Sequence, residues 1–188
     1  MNISTAIRFV CFTIVALISA VIFHGCATRT NSENRETLLS LPYWQFDQTP
    51  AGWRRVADRR EFREAAVLIE AYLPSHRELA PNERAMLHFH AAQLLGFVGD
   101  DSSALRHLKH AEVSEGSPGF PTRWNDYVAA TEAFLKRDRA KLLAARERMA
   151  RGSTTEQDRT YLGTVDLLIS RYGDSYGTAY LSRMESHK

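Results

Sequence analysis

Four turn signals at near-equal spacing constrain this chain more than any other feature. Arg59-Arg60, Gly99-Asp100-Asp101, Arg137-Asp138 and Gly173-Asp174 interrupt apolar stripes; counted from Arg60, Gly99, Arg137 and Gly173, they stand 39, 38 and 36 residues apart. The stripes between them keep a helical period. Leu87, Ala91, Leu94, Leu95 and Val98 fall at i, i+4, i+7, i+8 and i+11, one face of a helix, and Ala104, Leu108 and Ala111 continue beyond the turn. No segment keeps a period-two alternation between turn residues, so the pattern predicts an all-α body. Helices joined by so few residues must lie antiparallel, and each turn therefore predicts a hairpin.

The same pattern recurs in three other segments. Residues 52–73 pair a short helix with a stripe at Ala65, Ile69 and Tyr72. Residues 124–150 place Ala130 before the turn and Leu142, Ala145 and Met149 after it. Residues 155–184 carry a first stripe at Tyr161, Val165, Leu168 and Tyr172. End signals agree with these bounds. Pro81 suits a first helical turn, and Glu83 adds negative charge where the helix dipole favours it. Ser102 or Ser103 is expected to cap the helix after Gly99, Thr122 the helix opened by RWNDY, and Ser153 with Glu156 the next one. Pro42 and Pro50 bound YWQFDQT, an aromatic lead-in expected to cover the exposed end of the first helices.

Ala91-Ala92, Leu95, Gly99, Ala104, Leu108 and Ala111 fall at the spacings of a tetratricopeptide repeat, which this unit resembles. His88 stands where that motif has a large aromatic, and Ala92 where it has a glycine. The period of that motif is about 34, so the chain is a looser relative. The resemblance implies a right-handed stack of about four antiparallel hairpins whose first helices line a concave groove. It places groove-lining side chains three and six residues before, and one after, the small residue of each first helix. With Ala92 as that residue they are Phe89, Met86 and Gln93; with Ala130 they are Tyr127, Trp124 and Thr131. A methionine and aromatic surface with amides suits an extended or helical peptide.

The N-terminus carries a separate instruction. Arg8 precedes the run Phe9 to Phe23, fifteen residues that are apolar apart from Thr13 and Ser19. A secretory signal has an apolar region of about 7–15 residues, whereas a spanning helix needs about 20. The run ends in VIFHGC, and Gly25-Cys26 resembles the lipobox of bacterial lipoproteins, with Phe23 and His24 departing from its usual residues. That resemblance implies acylation of Cys26 and cleavage before it; with Ala27 rather than an aspartate next, it implies an outer-membrane destination. The plain alternative is an uncleaved N-terminal anchor. The following ATRTNSENRET reads as a solvated tether. The expected organisation is a signal peptide at 1–25, lipidated cysteine and tether at 26–41, and a helical body at 42–188.

Charge and cysteine content remove other classes. The 24 Lys+Arg and 22 Asp+Glu are interspersed without a like-charge block, which argues against nucleic acid. The two cysteines, Cys11 and Cys26, both precede the body, which therefore has no disulfide, thiolate nucleophile or thiolate ligand. Four histidines lie between residues 88 and 110, yet no zinc-like spacing accompanies them. His88 and His90 point to opposite flanks of their stripe, so one ion cannot easily take both, whereas His90 and His107 flank facing stripes and could meet. No metal, cofactor or catalytic set is assigned.

Two functions follow as expectations. The first is an envelope adaptor that binds a protein or peptide partner in the groove, held to the membrane by its N-terminal lipid. Apolar end faces of a short stack are also compatible with a homodimer. The alternative is an envelope hydrolase of a glycan or peptide, using Asp126 with Glu132 or His90. It requires a pocket in which two such groups converge.

Overall fold

The computed structural model describes residues 35–114, 116–152 and 155–185, with side chains as far as Ser182. The expected signal peptide, Cys26 and the expected tether up to residue 34 lie outside the described residues. The chain divides into two units after Leu41. In the first, residues 35–39 are helical, and Ser40 Oγ donates to the Thr37 carbonyl at 2.9 Å.

The second unit is built from α1 (Tyr43–Gln48), α2 (Arg54–Ala57), α3 (Phe62–Ser75), α4 (Pro81–Phe97), α5 (Asp101–Leu108), α6 (Trp124–Leu135), α7 (Arg139–Gly152), α8 (Glu156–Ser170) and α9 (Tyr176–Glu185). No strand occurs among the described residues, so the class is all-α. None of the described helices is long and apolar enough to cross a membrane. Consecutive helices pack on one another from α2 to α9. In addition α8 reaches α6, and α9 returns to α4.

The stripes read from the sequence form the core. Ala65, Ile69 and Tyr72 of α3, Leu87 and Ala91 of α4, Ala104 of α5, Ala130 of α6, Leu142 and Met149 of α7, and Val165 and Leu168 of α8 have no exposed surface. Val98 departs from its stripe and is exposed, because α4 ends one residue earlier. Helix α4 is apolar on more than one face: Ala85, Phe89, Ala92 and Gly96 are buried beside the stripe. A helix apolar nearly all round has to be covered on several sides. Here α3, α5 and α9 cover it.

The return of α9 depends on two glycines. A β-carbon at Gly177 would lie 2.5 Å from the Phe97 carbonyl oxygen, and one at Gly96 would lie 2.7 Å from the Tyr176 ring. Each helix presents a glycine to the other, Gly177 to the Phe97 backbone and Gly96 to the Tyr176 ring, and Phe97 and Tyr176 stack across the contact at 5.7 Å.

The helix ends hold three corrections. Asp100, not a serine, caps α5, accepting from the Ser103 N–H at 3.2 Å. Arg63 reaches the same carboxylate at 3.0 Å; with the Ser103 hydrogen bonds it holds Asp100 down at about 2. Thr155 caps α8 reciprocally with Asp158, two residues beyond the expected box; Ser153 is outside the described residues. Thr122 does not cap α6, which has no side-chain cap. Instead Asn125 clamps the Val113 backbone, donating at 2.8 Å and accepting at 3.0 Å, and Trp124 Nε1 donates to the Ala111 carbonyl at 2.8 Å.

Candidate functional site

One face of α4 is not covered by a neighbouring helix over its whole length. Met86, Phe89, His90, Gln93 and Phe97 recur at i, i+3, i+4, i+7 and i+11 and line a cavity of about 570 Å³. Trp53, Arg54 at the start of α2 and the turn residues Asp58 and Arg60 form one wall. Trp124 and Tyr127 of α6, Tyr161 of α8, and Tyr180 and Leu181 of α9 complete it. Its size is that of a small-molecule site, which typically spans roughly 300–1,000 Å³.

Five of the six groove positions read from the sequence line this cavity: Met86, Phe89, Gln93, Trp124 and Tyr127. Thr131 does not. It is fully buried, and its hydroxyl donates to the Tyr127 carbonyl at 3.0 Å. Phe89, Trp124 and Tyr127 are themselves 3%, 2% and 1% exposed, so they form the floor. Phe89 meets the Trp124 ring edge-on at 4.7 Å, and Tyr127 stacks on Tyr161 at 4.5 Å. Burial, then the neighbouring Tyr180 and Tyr176 hydroxyls, push the Tyr127 phenol well above its usual value. The half-buried Met86, Gln93, Tyr161 and Tyr180 are the members a ligand would reach first.

The polar member with the most elaborate support is His90. Its Nδ1 lies 2.8 Å from the Asp47 carboxylate, which is fully buried in the aromatic lead-in and also accepts from Trp53 Nε1 at 2.9 Å and the Tyr43 hydroxyl at 3.2 Å. Burial alone would raise the Asp47 pKa. The hydrogen bonds and charges of His90, Trp53 and Arg54 overcome it and hold the carboxyl below the usual range. With Nδ1 engaged, Nε2 is the ring nitrogen left for a ligand. The lead-in is thus part of the core: Phe46, fully buried, stacks on Tyr72 at 3.8 Å. Arg54 Nε donates to the Asp47 carbonyl at 2.6 Å, and its guanidinium stands 4.4 Å from the Trp53 ring centre.

The remaining histidines meet elsewhere, and not in the pairing expected from their stripes. His88 Nδ1 lies 2.9 Å from His107 Nδ1, and His107 Nε2 lies 3.1 Å from Glu70. The His110 ring centre is 5.0 Å from that of His88. Burial, then the charges of His107, His110 and Arg84, push His88 down to about 4. Among the described residues no three histidine, cysteine or acidic side chains are grouped to hold a metal ion.

Asp126 and Glu132 do not line the groove. Asp126 pairs with Arg148 at 2.6 Å and Arg123 at 3.6 Å. Glu132 pairs with Lys136 beside a second cavity of about 350 Å³. The groove residues missed by the sequence reading include Trp53, Arg54, Asp58, Arg60, Tyr161, Tyr180 and His90 in this role, as well as Asp47, which holds His90 from outside the lining. The second stripe on α4 was visible as spacing, but Asp47 lies 43 residues from His90 with nothing local to join them. No protein-family model, curated protein or solved structure matches this chain.

Proposed function

We propose that this protein is a membrane-tethered adaptor of the bacterial cell envelope whose aromatic groove holds an apolar segment of a protein or peptide partner. The observation that carries this reading is that Met86, Phe89, Gln93, Trp124 and Tyr127 line one cavity. Rigid aromatic walls with an amide suit burial of anchoring side chains, which supply most of the free energy of such contacts. The four turns and the buried stripes support a tetratricopeptide-like stack of hairpins, with α9 folded back on α4 as its closing element. The lipobox-like Gly25-Cys26 supports lipid tethering, with the outer membrane as destination.

A photo-cross-linking residue at Gln93 tests the groove against the same residue at Arg139, on the exposed side of α7. A discrete adduct from position 93 alone is expected in intact cells. Adducts of equal yield from both positions, or none from either, would discard the groove as the capture site. Membrane fractionation of Cys26→Ser tests the tether separately, and an unchanged membrane fraction would remove lipidation from the proposal.

One observation favours a hydrolase as a second reading: the Asp47–His90 pair at the groove wall. A carboxylate on Nδ1 fixes the imidazole tautomer so that Nε2 can accept a proton from water. Asp126 and Glu132 have no part in it. Release of dye from labelled peptidoglycan or peptide by the wild type, abolished in His90→Gln, is the outcome this reading requires.

A further inference from the structure

The turn residues Arg60 and Arg137 occupy equivalent places in the hairpin pattern, and both adopt left-handed backbone, with φ of 65° and 57°. Glycine takes this conformation freely, as Gly99 does at the next turn, whereas other residues are disfavoured there by roughly 1–2 kcal/mol. At Arg137 the side chain accounts for the choice. Its guanidinium donates to the Tyr172 and Asp174 carbonyls at 2.8 and 2.7 Å and lies over the Phe134 ring, joining its own turn to the next.

Arg60 has no such structural role. Its guanidinium makes no hydrogen bond or ion pair among the described residues, and Arg60, an exposed residue, is among those that line the aromatic cavity. Arg54 lines the same wall, with Nε fixed on the Asp47 carbonyl and its plane over Trp53. Asp58 lines the same cavity, and Asp47, buried outside the lining, accepts from Trp53 and Tyr43 and meets His90. The Arg54 charge faces the ionised Asp47, whose pKa it helps to lower, and Arg60 makes no ion pair with Asp58, so Arg60 is the guanidinium of this wall left without a partner. A guanidinium presents paired N–H donors whose geometry matches a carboxylate, and such charge-assisted bonds are about twice as strong as neutral ones.

We infer that the groove is a binding site for a small apolar monocarboxylate, its hydrocarbon body against Phe89, Tyr127 and Tyr161 and its carboxylate on Arg60. The cavity volume of about 570 Å³ matches a ligand of that size. This inference rests on the groove being open to ligands, which the adaptor reading also requires, and goes beyond it by naming a small molecule.

Dodecanoate and dodecanol, below their aggregation limits, form the test pair, with binding followed by the fluorescence of Trp53 and Trp124 and by calorimetry. The wild type is expected to bind dodecanoate at least tenfold more tightly than dodecanol. Arg60→Gly is expected to bring dodecanoate down to the dodecanol level while raising the thermal midpoint, because glycine relieves the left-handed turn. That combination separates a ligand-reading arginine from a structural one. Equal affinities for the two probes in the wild type would overturn the carboxylate assignment and leave the groove intact. Dodecanoate binding that Arg60→Gly does not alter would overturn the role of Arg60. Failure of both probes, with the position-93 cross-link still forming, would discard the small-molecule site and spare the adaptor; loss of all three would discard both.

Discussion

Gly177 of α9 lies against the Phe97 backbone at the end of α4, with room for a hydrogen atom and nothing larger. This contact folds the last helix back onto the central one and carries Tyr180 and Leu181 to the groove. Replacing Gly177 by alanine is expected to cost about 2 kcal/mol, within the range for overpacked contacts, and to lower the melting temperature by about 5 °C. Gly163→Ala is the control. Its β-carbon meets nothing within 4 Å in the interior of α8, so the same chemical change should stabilise by about 0.5–1 kcal/mol. Thermal melts of the two variants should therefore move in opposite directions.

The buried Asp47 carboxylate makes stability fall in acid. Its folded pKa is lowered, so its contribution is complete above the unfolded value of about 3.9 and is lost as the pH falls through the lower folded value. Asp47→Ala removes the acceptor of both Trp53 Nε1 and His90 Nδ1 and should cost about 3 kcal/mol at neutral pH. Asp47→Asn should flatten the acid limb, as read by denaturant unfolding between pH 2 and pH 7. An acid limb as steep as that of the wild type would count against this assignment.

His88 acts over a different window. Held at about 4 when folded against about 6.5 unfolded, it takes up a proton first in the unfolded chain. Stability is therefore expected to fall as the pH drops from about 6.5 to about 4 and to lose nothing further from this group below that. The effect is on the order of 1 kcal/mol after solvent screening. His107, His110 and Arg84 face the ring, and Glu70 meets His107 rather than His88, so the comparison is between wild type and His88→Gln, whose difference should vary with pH only inside that window.

Tyr127 and Gln93 both line the groove but should respond differently to truncation. Tyr127 is 1% exposed and packed between Phe89 and Tyr161, so Tyr127→Ala should destabilise the fold by about 3–4 kcal/mol. That variant cannot test the groove with helicity intact. Gln93 is half-buried, and Gln93→Ala should leave stability within about 0.5–1 kcal/mol of wild type while weakening whatever the groove holds. Circular dichroism melts check the first half of this statement and the cross-linking partner the second.

The helical stripes and turn residues of this sequence determined which faces would be buried, because apolar spacing and chain-reversing residues act over one or two turns. Ala65 with Ile69, Leu87 with Ala91 and Leu142 with Ala145 needed no knowledge of their neighbours. Caps were less legible: several polar side chains stand within reach of each helix end, and at α5 Asp100 prevailed because Arg63, from another helix, stabilises its charge. The groove was half legible, since Met86, Phe89, Gln93, Trp124 and Tyr127 share helical faces. Its chemistry was decided by tertiary structure. Asp47 meets His90 and α9 returns to α4 only through packing between residues far apart in the chain, where a missing β-carbon at Gly177 and one buried carboxylate decide which surfaces can touch.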